Sequence, residues 1–551
     1  MISLSKKALL IDGYVDEPAA FGVPPYISHY VRYAAGILTI KGYDVTYLTI
    51  DQIRAKNLWN FSSSFDLVLL VGGVAVPGKY VGGNPVNFKE MQRIFSNCRG
   101  IRLIAGPFSL FYAKRGGSRA YQSPIHADYL LGPDLAIDLY NYLFETNIPR
   151  NDWRIIQTAA VWGASIIKQH PRYPHIICEV ELSRGCERRT HCSFCIEPIF
   201  YPGFTSRPVQ HVLEEITELY KNGCVAFRFG RTANILAYYF EKDGKPCKEA
   251  FKELYEGIWK SCPEIKVLHH DNANPAFITH FERECTEILE TIAKWNTSGD
   301  VLSFGVESFD VKVLKMNNIM NDPENIVRAI EIVNEIGKFR ADGIPKLLPG
   351  INLLHGLMGE TDQTFEENLK WLKTILEKGL LLRRINIRQV IIEPKTALWR
   401  YSKVGKLKFN RNLFKIYKEK IRQEIDLPMI KKVFPLGSVI RSVYPEYTEG
   451  SITFARQLGS YPVLIGVGGK IFDCSDVVVV DHGPRSLTAV KYPLNINKAS
   501  YEELVLIPTI GQKRASKIIL NRPFSSFEQL KEVLNDENCL QVLQQVNAVI
   551  L

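Results

Sequence analysis

The 551-residue chain lacks any apolar run near the roughly 18 residues that a membrane-spanning helix needs. At its start Met1-Ile-Ser-Leu-Ser-Lys-Lys7 passes straight into Ala8-Leu-Leu-Ile-Asp12, a strand-like run that reads as too short for the apolar stretch of a signal peptide. Low-complexity stretches and repeats beyond a strand–helix alternation are missing too. These absences predict a soluble, cytoplasmic protein without a membrane span. Neither charge sign dominates, since 68 Lys and Arg against 58 Asp and Glu leave +10, so only the placement of the excess bears on partners. Eleven cysteines, an odd number, in a long chain read as having no export signal argue for reduced thiols and make any cluster of them a metal-site candidate. A hydrophobic share of 46% with 23% charged residues excludes wholesale disorder, and the length calls for several domains.

Residues 1–150 alternate strand-like runs (8–12, 45–48, 66–72 and 101–105) with helical spacing at 30–41 and 87–96, which predicts a doubly wound parallel sheet. Val71-Gly72-Gly73 and Ala105-Gly-Pro107 fall where strands end, the edge at which open α/β sheets hold ligands; the glycines read equally as tight turns. Residues 175–395 carry six strand candidates, 176–182, 225–229, 265–270, 301–306, 350–355 and 384–390, separated by helical segments. That is the pattern of a partial TIM-type (β/α)6 barrel. Residues 396–432 read as a basic helical linker. Between positions 400 and 441 stand twelve Lys and Arg against Glu419, Glu424 and Asp426, which makes either a phosphate-binding surface or a solvated helix face. Residues 433–493 turn to short strands at 438–444, 450–456, 462–467 and 476–481, predicting a small β-barrel, and 494–551 return to helix. The fold class is multidomain α/β.

The strongest chemical signal is Cys186-Glu-Arg-Arg-Thr-His-Cys192-Ser-Phe-Cys195, which places three cysteines on one loop directly after a strand. Soft thiolates in this arrangement suit zinc or an iron–sulfur cluster, and three protein ligands leave one metal position open for chemistry. Arg188 and Arg189 are expected to lower the thiol pKa values and ease metallation. Structural zinc needs a fourth ligand, and His191, adjacent to Cys192, is badly placed to share its metal. Three unligated cysteines are the remaining reading.

The loop resembles the cluster loop of radical S-adenosylmethionine (radical SAM) enzymes, with Phe194 where such loops carry an aromatic residue before the last cysteine. Their common spacing is C-x3-C-x2-C, and this chain has C-x5-C-x2-C. Further motifs follow in the family's order. Phe229-Gly230-Arg231 stands where the second strand usually ends in Gly-Gly-Glu and holds the SAM amino group. Ser303-Phe-Gly-Val-Glu307-Ser308 is similar to the strand whose polar end contacts the ribose or methionine part of SAM. Asn352-Leu-Leu-His-Gly356-Leu-Met-Gly-Glu360-Thr361 looks like the fifth strand and its following turn. The resemblance implies that Cys186, Cys192 and Cys195 bind three irons of a 4Fe–4S cluster and that the fourth iron takes SAM. Phe194, Gly230, Arg231, Glu307 and Ser308 would then lie at the cofactors. One-electron reduction, supplied by a reductant protein, would cleave SAM to a 5′-deoxyadenosyl radical.

The flanking domains extend the resemblance. The first is similar to the cobalamin-binding domain of cobalamin-dependent radical SAM enzymes. There Asp12-Gly-Tyr…Pro24-Pro25-Tyr26 and Val71-Gly72-Gly73…Pro77-Gly78 would be the loops facing the cofactor, which puts Gly72 and Gly73 beside cobalamin. The Asp-x-His-x-x-Gly motif that supplies a histidine to cobalt is missing, as in many such methylases; a cofactor-free sheet is the alternative. Methylthiotransferases share the domain order and end in a small tRNA-gripping barrel (TRAM), but their first domain carries three further cysteines. Here the first 170 residues contain only Cys98, which disfavours methylthiolation. In the tail, Pro508-Thr-Ile-Gly511-Gln-Lys513-Arg514-Ala515 is similar to a helix-hairpin-helix, with Ser500 capping the first helix and Gly511, Lys513 and Arg514 placed for a nucleic-acid phosphate. Such modules also pack against proteins.

The expected function is therefore a radical SAM enzyme, as a cobalamin-dependent methylase acting on RNA or another nucleic acid. Two alternatives stand: the same chemistry on a lipid, metabolite or protein, and a non-catalytic cluster-bearing nucleic-acid-binding protein. His269, His270 and Asp271 end a barrel strand and read as either active-site or structural groups.

Overall fold

Runs of aliphatic and β-branched residues bounded by glycine and proline set the strands, and their pairing is parallel where a helix intervenes. The computed structural model describes residues 6–15, 21–73, 82–113, 115–122, 125–341, 343–405, 407 and 409–551. Pro77, Gly78, Lys406 and Lys408 lie outside the described residues.

The first sheet has the order Asp44–Thr49, Lys7–Asp12, Leu67–Val71, Ile101–Ala105, Tyr129–Leu130, all parallel. Alternation along each strand divides its side chains between two helical layers. Leu9, Ile11, Val68 and Leu70 bury with Ile50, Met91 and Phe95, whereas Ala8, Leu10, Leu67 and Leu69 bury with Val31, Ile37, Leu139 and Ile156. A doubly wound sheet results. Its last strand, two residues long, has no apolar run to announce it.

The second block is an open arc of six parallel strands: Ile177–Glu181, Ala226–Gly230, Val267–His269 continued as Asn272–Ala273, Asp300–Glu307, Leu347–His355 and Arg384–Gln389. An open arc leaves unpaired backbone at its edges. The first domain covers them, because Tyr26–Ile27 pairs with Ile177–Glu181, and Ser118–Arg119 pairs with Ile391–Ile392 just beyond the last strand. A buried carboxylate ties the same two units. Glu215, on the helix Val209–Lys221, is ion-paired with Arg32 of the helix His29–Ile40 and with Arg207, and accepts a hydrogen bond from the Tyr33 hydroxyl at 3.1 Å. Burial alone would raise the Glu215 carboxyl, but Arg207 and Arg32 outweigh it and hold it below the ordinary carboxylate range.

The basic segment is helical, and it forms a wall of the arc. Its helices Ala397–Lys403, Arg411–Ile421 and Leu427–Val433, the last two joined by a π-helical turn at Arg422–Asp426, bury Tyr417, Ile421, Ile425 and Met429 in the main core. Several surface cations are paired locally, Lys420 with Glu424 and Arg422 with Glu419. The small barrel closes with five strands rather than the four read from the sequence, in the order Val439–Glu449, Ile452–Gln457, Leu464–Gly468, Ser486–Lys491, Ser475–His482 and back to the first. The extra strand, Ser486–Lys491, alternates Leu487 and Ala489 with Thr488, a pattern too short to stand out.

The tail helices Tyr501–Val505, Gly511–Leu520, Phe527–Leu534 and Glu537–Gln545 build a core of Leu504, Ala515, Ile518 and Leu530 that merges with Val478, Val480 and Val490 of the barrel. Among the described residues no helix is long and apolar enough to cross a membrane.

Candidate active site

The cysteine loop leaves the arc through Ser183–Arg184 and turns at Gly185 (φ +79°), where a Cβ would meet the Gly203 carbonyl oxygen at 1.8 Å. Only glycine fits there. The loop is then anchored along its length. Glu197, two residues past Cys195, accepts from the Gly185 N–H at 3.0 Å and from Arg231 Nη1 at 2.9 Å. In the middle, Ser193 donates its N–H to the Asn317 carbonyl at 2.9 Å and its hydroxyl to Asn317 Oδ1 at 2.6 Å, and its carbonyl accepts from the Leu398 N–H at 2.8 Å. Cys186, Cys192 and Cys195 thereby line one cavity of about 1180 Å³. It lies at the C-terminal edge of the arc, where barrel chemistry gathers.

Burial dominates the thiols. Cys186 is pushed up to about 12, by burial first and then by the adjacent Glu187. Cys192 and Cys195 are also raised by burial. Arg188 does pull Cys192 down, donating from Nη1 to its sulfur at 3.1 Å, but one guanidinium does not offset the desolvation. Arg189 is exposed to solvent. Arg188 thus lowers Cys186 and Cys192 as expected, but burial leaves both thiols raised, and Arg189 is not among the groups that act on them.

Phe194, Arg231 and Glu307 line the same cavity. Glu307 ends its strand through a bulge after Gly305, with φ +65°, which re-aims the side chain. Burial raises its carboxyl to about 8, against the pull of Arg388, so at neutral pH most of it is a neutral acid able to donate a hydrogen bond. Gly230 lies outside the lining: a Cβ there would strike Glu179 Oε2 at 1.7 Å, so the glycine makes room for that carboxylate. Ser308 is also outside it, donating to Asn368 Oδ1 at 3.2 Å and accepting from the Asp310 N–H at 3.1 Å. Nor do Gly72 and Gly73 face the cavity. A Cβ on Gly72 would meet Phe108 at 2.6 Å and one on Gly73 the Gly13 carbonyl at 2.8 Å, whereas Gly106 and Pro107 after the next strand do line it. His269, His270 and Asp271 are placed as structural groups. His270 lies 2.8 Å from Asp300 Oδ2 and 2.5 Å from the Tyr255 hydroxyl, and Asp271 is ion-paired with Arg228. Gly511, Lys513 and Arg514 open a tail helix apart from the cavity. Arg514 is committed within the module to the Thr509 carbonyl at 2.6 Å and to Asp536 at 2.5 Å, while Gly511 and Lys513 are exposed.

The signature of the radical SAM superfamily matches residues 180–372, the segment that holds the cysteine loop and most of the arc. Residues 180–372 form a radical SAM domain. A helix-hairpin-helix motif matches residues 491–535. Over 539 residues this radical SAM protein is 39% identical to an uncharacterized protein of Archaeoglobus fulgidus, covering 96% of this chain and 97% of that one. It is 28% identical over 210 residues to the ribosomal protein uS12 methylthiotransferase RimO of Phocaeicola vulgatus, covering 37% of this chain and 42% of the relative. Among solved structures it is similar to the radical SAM methyltransferase TsrM of Kitasatospora setae with cobalamin and a [4Fe-4S] cluster bound, at 13% identity and a TM-score of 0.45, covering 70% of this chain and 72% of that one.

The radical SAM domain implies a 4Fe–4S cluster and SAM, and the cysteine loop fits the cluster. Among the described residues no three His, Cys, Asp or Glu side chains are grouped to hold a single metal ion. The three thiols nevertheless share one cavity, each close enough to act on another's charge. Three thiols that share a cavity without being grouped on one ion suit a cluster whose irons each take one thiolate. Arg231 (φ +55°) positions this loop. Besides Glu197 it reaches the Tyr30 hydroxyl of the first domain at 3.1 Å, with its guanidinium 4.9 Å from the Tyr201 ring. Arg231→Ala should lower the iron retained after reconstitution by about 10-fold, as for outer partners of metal ligands, with Arg231→Lys recovering part; an iron assay on folded protein checks it. Glu197 and Tyr30 escaped the sequence reading. Glu197 had a signal, a carboxylate two residues past the last cysteine. Tyr30 had none, being brought in from another domain.

Proposed function

We propose that this radical SAM enzyme cleaves SAM reductively at a cluster held by Cys186, Cys192 and Cys195, and methylates RNA or another nucleic acid whose target group enters the same cavity. One observation carries the reading: three cysteines of a single anchored loop line a cavity of about 1180 Å³ at the C-terminal edge of the arc. Pockets for one drug-sized ligand span about 300–1,000 Å³, so SAM and a second molecule fit together. The cluster, when bound, supplies the electron that breaks a carbon–sulfur bond of SAM. The chain's own residues bind and orient. Glu307 offers a neutral carboxyl, and Asn321, fixed by donating to the Gly305 carbonyl at 2.9 Å, presents a second polar edge. Phe111, Phe194 and Ile319 give the cavity apolar lining.

Cobalamin would be held at the C-terminal edge of the first sheet, against Gly106, Pro107 and Phe111. Among the described residues that line the cavity none is histidine, so this wall supplies no imidazole to cobalt. The nucleic-acid half of the proposal is supported by the tail motif and its exposed Gly511 and Lys513.

Anaerobically reconstituted protein should carry about four irons per chain and release 5′-deoxyadenosine on reduction with SAM. Absence of both overturns the catalytic reading. RNA should be retained in a salt-sensitive way and more weakly by Lys513→Glu. Equal retention by wild type and variant overturns the assignment of the tail.

A further inference from the structure

On the last strand of the arc, Arg384–Gln389, Ile385 and Ile387 are buried in the main core, and Arg384, Asn386 and Arg388 line the cavity. Asn386 is tied to the neighbouring strand, donating to Asn352 Oδ1 at 3.2 Å. Lys418, from the helical wall, and Arg485, from the turn before the barrel's last strand, reach the same space. These cations act on one another. Lys418 is lowered by burial first and then by Arg422, Arg485 and Arg388, and Arg384 is lowered by burial with Arg485 and Arg388 beside it. Counter-charge is scarce. Among the described residues Arg384, Arg388 and Lys418 form no ion pair, and Arg384 Nε is buried without a hydrogen-bond partner. The carboxylates nearby are Asp426, 4.0 Å from Arg485 Nε, Glu307 and Asp271, which both act on Arg388 although Asp271 is already ion-paired with Arg228, and Glu393, which lines the cavity.

Arg384 and Lys418 are half-buried and Arg388 and Arg485 exposed, and four cations gathered in one cavity repel one another and attract an anion. SAM does not bring it, because its sulfonium and ammonium groups against one carboxylate leave a net positive charge. A phosphate ester does: it carries about −1.5 to −2 near pH 7, offers three acceptor oxygens, and matches the forked donors of arginine. We infer that this wall binds a phosphate group of the substrate, through Arg384, Arg388, Lys418 and Arg485. The inference rests on reading the cavity as the reaction site. The phosphate belongs either to a nucleotide within a nucleic acid or to a free phosphorylated compound.

Inorganic pyrophosphate, titrated calorimetrically at low salt into the full-length chain without cluster or SAM, tests the wall by itself. The expected result is stoichiometric binding, weakened about 10-fold or more by Lys418→Gln and by Arg485→Gln, the size of one charge-assisted hydrogen bond. Lys418→Arg should retain binding, and Lys260→Gln, on the surface, should bind as wild type. No stoichiometric binding, or equal weakening by Lys260→Gln, overturns the inference. Displacement of pyrophosphate by an RNA oligomer without terminal phosphates assigns the site to a nucleic-acid backbone; displacement by adenosine 5′-monophosphate alone assigns it to a free phosphorylated compound. Failure of both to displace overturns it. SAM cleavage, measured separately, keeps the two readings apart. Protein that cleaves SAM without binding pyrophosphate overturns only the phosphate wall, and protein that binds pyrophosphate without cleaving SAM overturns only the catalytic reading.

Discussion

Cys192→Ala should bring 5′-deoxyadenosine release at least about 100-fold below wild type, since even outer partners of a metal site are worth about 10–100-fold. The expected loss is local. The loop stays anchored through Ser193 on Asn317 and Glu197 on Gly185, neither of which involves the Cys192 side chain. The side chain also packs with Phe194 near Val313 and Leu314, where alanine leaves a small gap rather than a buried polar group. Cys192→Ser keeps the shape and removes the soft donor, so it should lose iron as alanine does. Cys474→Ala, at an exposed thiol outside the cavity, should release 5′-deoxyadenosine as wild type does. Iron analysis together with chromatography of the nucleoside gives the answer. Undiminished release from Cys192→Ala removes the basis for the catalytic assignment.

The largest expected effect on stability is at Glu215. Glu215→Gln keeps the shape but leaves Arg32 and Arg207 buried without their counter-ion, a change that costs about 3–5 kcal/mol when one partner of a buried pair is lost. Because the pair joins the helix His29–Ile40 to Val209–Lys221, the loss should loosen the first domain from the arc. The denaturant midpoint should fall, and limited proteolysis near the junction should accelerate. The pH dependence has a definite sign. The folded Glu215 carboxyl titrates below its unfolded value of about 4.3, so its contribution is complete above that value and disappears as pH falls through the folded one. Wild type and Glu215→Gln should therefore differ most near neutral pH and converge on acidification. A constant difference down to strongly acidic pH would assign the destabilisation to something other than the ion pair.

Local features of the sequence reached the structure where a periodic pattern or a short motif carried them. The six strands of the arc, the parallel first sheet and the three-cysteine loop each rest on contiguous residues whose alternation or spacing is visible along the chain. Two-residue strands such as Tyr26–Ile27 and Ser118–Arg119 were invisible, because backbone pairing at an arc's edge requires no side-chain pattern. Ser308, Gly72 and Gly73 sit at the motif positions expected, yet their surroundings turn them into packing groups. Lys418 was legible only as one member of a charged run; nothing in that run marked it as the cation that enters the cavity.

The three clustered cysteines, despite their unusual spacing, and the strand motifs that follow in order were enough, by themselves, to point to a radical SAM domain, and the tail hairpin to a helix-hairpin-helix, since each depends on neighbours in sequence. Tertiary structure alone decided which side chains meet. It brought Tyr30 to Arg231, Glu215 to Arg32, and Arg384 to Lys418 and Arg485 across long stretches of chain. It also made burial outweigh the lowering effect of Arg188 on the thiols, because desolvation depends on how deeply the folded loop is covered, and no count of nearby charges reveals that depth.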